Sequence, residues 1–95
     1  MIVSFLHKGL EQFFKEGKTE GVKQDHIKRL RIRLLFLDAL EKLEDFKEFP
    51  NFKFHKLEGD LKDRYSISVT GNWRLTFKWD EENKNVEVLD YVDYH

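Results

Sequence analysis

The chain predicts an α+β fold, with two helices first and a small, mainly antiparallel sheet after them. Two periodicities carry this. From Ile27 the apolar residues step by three or four through Leu30, Leu34, Leu37, Leu40 and Leu43, which is the repeat of one helix face. Two later stretches, 64–70 and 73–79, alternate apolar and polar residues, as strands do when one sheet face is packed and the other is not. Ninety-five residues fit a single domain over 1–95 and bury enough surface to fold without staples.

Residues 2–6 are short and apolar, β-branched at Ile2 and Val3, and predict a strand that joins the sheet. Leu10, Phe13 and Phe14 have helical spacing, and Gly17 is a natural C-cap, so a first helix is expected over about 9–16. Residues 17–23 read as a turn. The long periodic stretch predicts a second helix over about 24–45, with Asp25 in its first turn and Asp25/Arg29 and Asp38/Lys42 as supporting pairs. His26 reads as a solvent-side histidine there. Ile32, Leu35, Phe36 and Ala39 form a second apolar stripe on this helix, which deep burial or a partner surface would explain.

Residues 46–63 have no helical period. They hold the only proline, Pro50, and the rings of Phe46, Phe49, Phe52 and Phe54. Alternation in 52–55 predicts that the rings anchor the segment while Lys53 and His55 face the other way. A connection this long is often functional. In the two alternating strands, a two-residue Gly71-Asn72 turn would put Val69 opposite Arg74. A three-residue loop pairs Val69 with Trp73, Ile67 with Leu75 and Tyr65 with Phe77, and the hydrophobic pattern favours it. Arg74 then lies on a polar face with Ser66 and Ser68. Residues 80–85 are a polar turn, and 86–95 form the last strand.

Net charge is −1 although 37% of residues are charged, so local patches can be strong where the total cancels. Cysteine is absent, which excludes a disulfide framework and thiolate metal sites. No apolar run approaches the roughly 20 residues of a membrane span, and the N-terminus lacks signal-peptide features; a cytoplasmic protein without membrane association is expected. The four histidines form no metal-binding motif. Phosphate-binding glycine loops and nucleophile elbows are likewise missing. The residues suited to chemistry are Arg74, His55 and the terminal Asp93-Tyr94-His95: a guanidinium for phosphate beside groups that titrate or hydrogen-bond.

Ser4-Phe5, His7-Lys8-Gly9-Leu10, the His55/Leu57/Gly59-Asp60 loop, Tyr65-Ser66-Ile67-Ser68-Val69, Asn72-Trp73-Arg74-Leu75-Thr76-Phe77 and Asp90-Tyr91 with Asp93-Tyr94-His95 occur in order along the chain. In this the sequence resembles the RelE/ParE superfamily of bacterial toxins, in particular its HigB-type branch. The resemblance implies the compact RelE-like fold, helices packed on a curved sheet. It also implies a toxin of a type II toxin–antitoxin system: a ribosome-dependent mRNA endonuclease without metal or other cofactor. The implied partners are mRNA on the ribosome and a HigA-like helix-turn-helix antitoxin, through which alone operator DNA would be met.

By the same resemblance the ribose 2′-OH attacks the adjacent phosphorus and leaves a 2′,3′-cyclic phosphate. Such a reaction needs a base, an acid and a cation. Arg74 is the implied cation, His55 and His95 the implied proton carriers, and Tyr94 a phosphate or base contact; Asp93 would orient a neighbour. Lys53, Lys56 and Lys62 are the implied substrate-binding lysines. Close relatives carry a lysine just before the Gly-Asp of the loop, where this chain has Glu58. Either Lys56 or Lys62 supplies the cation instead, or Glu58 is itself the general base. Two other activities fit the same superfamily: a ParE-like gyrase-binding toxin, which would not need His55 and Tyr94-His95, and an antitoxin-binding co-repressor.

Overall fold

The structure is a computed structural model and describes residues 1–94. Helix α1 spans Lys8–Glu16 and α2 spans Ile27–Asp38. α1 starts where His7, in an extended conformation, turns Nδ1 back to accept the Leu10 N–H at 2.9 Å. This satisfies one of the donors that a helix start leaves open. It stops at Gly17, whose left-handed φ of 72° lets its N–H reach the Phe13 carbonyl. Gly9 and Gly21 allow the backbones of α1 and the next turn to touch: a Cβ on Gly9 would sit 2.5 Å from the Gly21 oxygen.

The second helix is shorter than its periodicity predicts. A 3-10 turn, Gln24–His26, precedes it, α2 ends at Asp38, and Leu43–Glu48 is again 3-10. Leu43 keeps the apolar pattern alive because a 3-10 segment repeats every three residues, while Leu40 is buried in the connection before it. The stop falls where a distant contact takes over. Asp38 accepts the N–H of Ile2 at 2.9 Å, and a carboxylate opposes the negative end of a helix. Asp38 is thereby engaged with the N-terminus instead of Lys42. The second apolar stripe divides. Phe36 packs on Phe46, Phe49 and Phe52, while Ile32 and Leu35 are 51% and 63% exposed, and Ala39 is exposed too.

Four antiparallel strands follow in sequential order: β1 (His55–Lys56), β2 (Tyr65–Thr70), β3 (Trp73–Asp80) and β4 (Asn85–Asp93). β1 lies inside the connection expected to be loop. The N-terminal strand expected over 2–6 is instead two isolated parallel bridges, Ile2 to Val86 and Phe5 to Leu89. The three-residue spacing on both sides has one origin. β4 carries an extra residue, Val88, at a φ of +48°, so Val86 and Leu89 both face the core. A β-branched residue there is strained. Ser4 holds it: the Val88 N–H donates to Ser4 Oγ at 2.8 Å and the Leu89 N–H to the Ser4 carbonyl at 3.0 Å.

The β2/β3 register matches expectation at Tyr65–Phe77 and Ile67–Leu75 but not at Val69. Trp73 pairs with Thr70, and Val69 is the extra residue of a bulge. The tight Gly71-Asn72 turn, with Gly71 at φ 54°, is thus reconciled with the in-phase strands by one bulged residue. Both helices pack on the sheet face of Ile67, Val69, Leu75, Phe77, Leu89 and Tyr91. The opposite face, with Ser66, Ser68, Arg74 and Thr76, is left for the site.

His26 is not a solvent-side histidine; it is 2% exposed. Its Nδ1 lies 2.6 Å from the Tyr91 hydroxyl, and its ring is edge-on to Trp73. Burial lowers its pKa, with Lys23 and Arg29 acting in the same direction and Asp25 against. The folded state therefore binds its proton less readily than the unfolded chain. Stability is full above the ordinary value of 6.5 and falls as pH drops through it.

Two outcomes follow. Ser4→Ala leaves the part-buried Val88 N–H without its acceptor and should cost about 1 kcal/mol in urea denaturation; an unchanged midpoint would refute the support role given to Ser4. In His26→Asn, Oδ1 can take the place of Nδ1 but does not titrate. The variant should lose part of the wild-type fall in denaturation midpoint between neutral pH and pH 5, and parallel pH curves would show that His26 is not the group responsible.

Candidate active site

The face opposite the helices is built from residues two apart on each strand. Ser68 is paired with Arg74, and Arg74 with Val92; one row along, His55 is paired with Ser66, Ser66 with Thr76, and Thr76 with Asp90. Short hydroxyl side chains, Ser66 and Thr76, form the middle of this floor, between His55 on one edge and Asp90 on the other. Strand spacing of about 4.8 Å and a rise of about 3.3 Å per residue put the Arg74 and His55 backbones roughly 12 Å apart. Side chains of that length can meet a single phosphodiester between them.

Arg74 is half-buried. Its Nη1 donates to the Gly71 carbonyl at 2.8 Å, the Trp73 carbonyl at 3.2 Å and Ser68 Oγ at 3.3 Å. These contacts fix the guanidinium through one nitrogen, and no carboxylate forms an ion pair with it among the described residues. A cation held by neutral groups keeps its full charge for an incoming anion.

Behind it stands a second arginine that the sequence pattern concealed. Arg33 on α2 is 6% exposed. Its Nε donates to the Ser68 carbonyl at 2.7 Å, its Nη1 to the Arg29 carbonyl at 3.2 Å, and its guanidinium lies 4.5 Å from the Phe52 ring centre. Burial, and then Arg29, pull its pKa below the ordinary arginine value. Ser68 is therefore held from both sides at the β2 bulge: its carbonyl by Arg33, its hydroxyl by Arg74. Three alternate helix positions, 29, 31 and 33, are arginine and gave no hint of which one turns inward.

His55 is exposed, as its alternation with Phe54 predicts. Its Nδ1 is 3.0 Å from the Lys53 carbonyl. A carbonyl only accepts, so Nδ1 carries the hydrogen and Nε2 of the neutral ring is left with its lone pair. Lys53 presents that carbonyl from a left-handed turn with φ 51°. Phe54 stacks on Phe46 at 4.1 Å and on Tyr65 at 5.3 Å, which anchors the segment.

The remaining expected residues are less tightly grouped. Tyr94 is 39% exposed, and its N–H donates to the Asn72 carbonyl at 2.8 Å, which ties the chain end to the turn before Arg74. Asp93 pairs in register with Trp73. His95 lies outside the described residues. Lys56 is paired with Tyr65, on the other side of the strand from His55, so the structure does not bring it to the Arg74 face. Glu58 and Lys62 flank the 3-10 turn Gly59–Leu61 and are exposed. Among the described residues no group of three or more His, Cys, Asp or Glu could hold a metal ion, and no helix is long and apolar enough to cross a membrane.

The model of the HigB-like toxins, RelE-like toxins of type II toxin–antitoxin systems, matches residues 3–95. The chain belongs to this family. It is 38% identical to Endoribonuclease HigB of Proteus vulgaris over 95 residues, covering the whole of both chains. It is 34% identical to Toxin HigB-1 of Vibrio cholerae, covering all of this chain and 98% of that one. The fold of this HigB-like toxin recurs in solved structures at lower identity. A YoeB/ParE toxin from Agrobacterium tumefaciens has a TM-score of 0.60 at 14% identity, over 99% of this chain and 98% of that one. The YoeB–YefM complex from Staphylococcus aureus has 0.57 at 20% identity, over 100% and 95%.

The β3 alternation already puts Thr76 near Arg74 on the polar face, but sequence reasoning missed Asp90, which pairs with Thr76 on the floor. Nothing local marked Arg33. Arg33→Met keeps the packing over Phe52 but leaves the Ser68 carbonyl without its donor. It should destabilise the fold by about 1–3 kcal/mol. Loss of stability at unchanged m-value is the expected denaturation result; no loss would mean that the bulge does not depend on Arg33.

Proposed function

We propose that this toxin is a ribosome-dependent mRNA endonuclease that cleaves by 2′-OH attack, needs no metal, and is neutralised by a HigA-like helix-turn-helix antitoxin. The observation that carries this reading is Arg74, fixed through Nη1 and without a carboxylate partner among the described residues, on one floor with His55. The 38% identity to a protein named as an endoribonuclease over its whole length supports it.

The chemistry assigns one task to each group. A base removes the 2′-OH proton as the O2′–P bond forms. Charge grows on the non-bridging oxygens, where the Arg74 fork is suited to bind. The P–O5′ bond then breaks, and an acid delivers a proton to the departing O5′, leaving a 2′,3′-cyclic phosphate and a 5′-OH. His55 offers a free Nε2 lone pair as base, or a proton as acid once charged. His95 is assigned the complementary role by the family resemblance. Tyr94 serves as a phosphate contact or a stacking surface for a base, with Asp93 orienting a neighbour. Lys53 and Lys62, on the exposed loop, bind the RNA backbone; Lys56 would reach it only from the opposite side of β1. Glu58 is either the base or the replacement of a phosphate-binding lysine.

The antitoxin partner is supported by the family itself and by the S. aureus relative, solved as a YoeB–YefM complex. The exposed Ile32 and Leu35 on α2, on the helix side of the sheet, suit such a contact without blocking Arg74. Operator DNA is then met only through the antitoxin, and the setting is the cytoplasm, where ribosomes are.

Arg74→Ala should lower cleavage about 10²–10³-fold, as loss of a transition-state donor does, while the fold and antitoxin binding persist. Arg74→Lys should keep only part of the rate. Deletion of His95 should also cause a large loss. Glu58→Gln should abolish cleavage if Glu58 is the base; Glu58→Lys should increase it if Glu58 merely replaces a lysine. The measurement is cleavage of ribosome-bound mRNA with the 3′-end chemistry quantified. Undiminished cleavage by both the Arg74→Ala and the His95-deleted proteins would rule out this site.

A further inference from the structure

We propose that Arg64 and Lys78 form a second phosphate seat on the same sheet face as Arg74, occupied in the free protein by the carboxylate of Asp63 and taken by the backbone phosphate of a flanking nucleotide when RNA binds. This rests on the endonuclease reading for the identity of its ligand.

The placement follows from the register. β3 runs without interruption through Arg74, Thr76 and Lys78, because the extra residue of the β3/β4 bulge, Val88, lies on β4. Lys78 is therefore on the Arg74 face. Arg64 immediately precedes β2 and continues the series of Ser66 and Ser68, opposite Arg74 and Thr76. The backbone positions of Arg74 and Lys78 are about 13 Å apart, four residues at roughly 3.3 Å. Arg74 is tied towards the Gly71 end of β3, while Lys78 and Arg64 converge on Asp63, so the pair would meet a different nucleotide.

The cations are already arranged around an anion. Asp63 Oδ2 is 3.0 Å from Lys78 Nζ, and Asp63 Oδ1 is 3.7 Å from Arg64 Nε. The first contact is a hydrogen-bonded ion pair; the second is too long for a hydrogen bond. Arg64 Nε accordingly is buried without a hydrogen-bond partner, and so is Ser66 Oγ, the next residue on this face. Ser66 itself is fully buried. Native proteins rarely leave such groups unmet. Both atoms are buried, so a phosphate in the place of Asp63 would meet Lys78 Nζ and the part of the Arg64 side chain that stays exposed.

Asp63 is suited to leave. Its side chain is 54% exposed, it sits on the loop between β1 and β2, and Lys78 is 41% exposed. The lysine hydrogen bond keeps the carboxyl ionised by lowering its pKa, so it competes with phosphate as an anion. One phosphodiester replacing the carboxylate leaves the charge balance of the seat unchanged, so the exchange costs no net charge. The seat also restores positive charge to a loop in which Glu58 stands where the resemblance expects lysine.

The test has two readouts. The first is kcat and KM for cleavage of ribosome-bound mRNA over a salt series. The second is binding of a short fluorescent single-stranded RNA, which needs no catalysis. In Arg64→Gln/Lys78→Gln we expect KM to rise about tenfold with kcat little changed, as for loss of uniform binding. The slope of log kcat/KM against log salt should shrink by about 0.7, the value for one phosphate on a single strand. The short RNA should bind correspondingly more weakly. Asp63→Asn should tighten binding and lower KM, and this gain should vanish when the two cations are also removed. Lys78→Gln alone, at an exposed side chain, guards against misfolding of the double variant and should show part of the effect. If KM, salt slope and RNA binding are the same in all these variants, the Asp63 contacts are only a latch on the loop and the seat is refuted. If the protein cleaves nothing yet RNA binding responds as expected, the endonuclease reading falls and the seat stands.

Discussion

The bond from Arg33 Nε to the Ser68 carbonyl is the constraint on which the site depends. A bulge leaves ladder groups unpaired, and an unpaired carbonyl facing a packed helix is costly. α2 meets that carbonyl with a guanidinium whose own burial is relieved by the Phe52 ring and the Arg29 carbonyl. The bulge lets a tight Gly71-Asn72 turn coexist with in-phase β2 and β3. The same Ser68 then accepts from Arg74 on the opposite face. Helix packing on one side of the sheet is thus coupled to the orientation of Arg74 on the other.

A second bulge, at Val88, performs a comparable service for the N-terminus. One extra residue in β4 lets Val86 and Leu89 both enter the core, and the chain start follows with Ile2 and Phe5 at the same spacing. Ser4 meets the strained backbone between them. Asp38 reaches back to Ile2, so α2, the N-terminal segment and β4 are joined by side chains of single residues and not by a continuous ladder. The sheet is covered by apolar residues on one face and keeps hydroxyls and charges on the other. This separation allows a polar face to coexist with a conventional core.

The near-zero net charge conceals how the charges are distributed. On the open face the cations Arg74, Arg64 and Lys78 share one side of β2 and β3. Among the described residues, only the last two are engaged by a carboxylate, that of Asp63. A family member that handles RNA does not need a basic total charge when its few cations are fixed in a row. On the helix side, exposed Ile32 and Leu35 stand among Lys28, Arg29 and Arg31, a surface that differs in character from the floor around Arg74.

The elements legible in the sequence were those with a strict local period. The 3.6-residue repeat set α2, and the two-residue repeat set β2 and β3 and put Arg74 with Ser66 and Ser68. Gly17 marked its own cap, and the Phe52–His55 alternation separated anchoring rings from His55. Other features depended on contacts between distant residues. The end of α2 at Asp38 depends on Ile2, 36 positions away. The bulge at Val69 depends on balancing a two-residue turn against the apolar register of both strands. The inward turn of Arg33 depends on the carbonyl that this bulge exposes. His26 reads as a polar helix-start residue until Tyr91, 65 positions on, supplies its partner. Asp63, Arg64 and Lys78 look like ordinary surface charges until folding brings β3 beside the loop. Local periodicity therefore determined which residues face together. Only the tertiary structure decided which polar groups are paired and which are left unmet, because a buried hydrogen bond is settled by whatever partner the rest of the chain brings within about 3 Å.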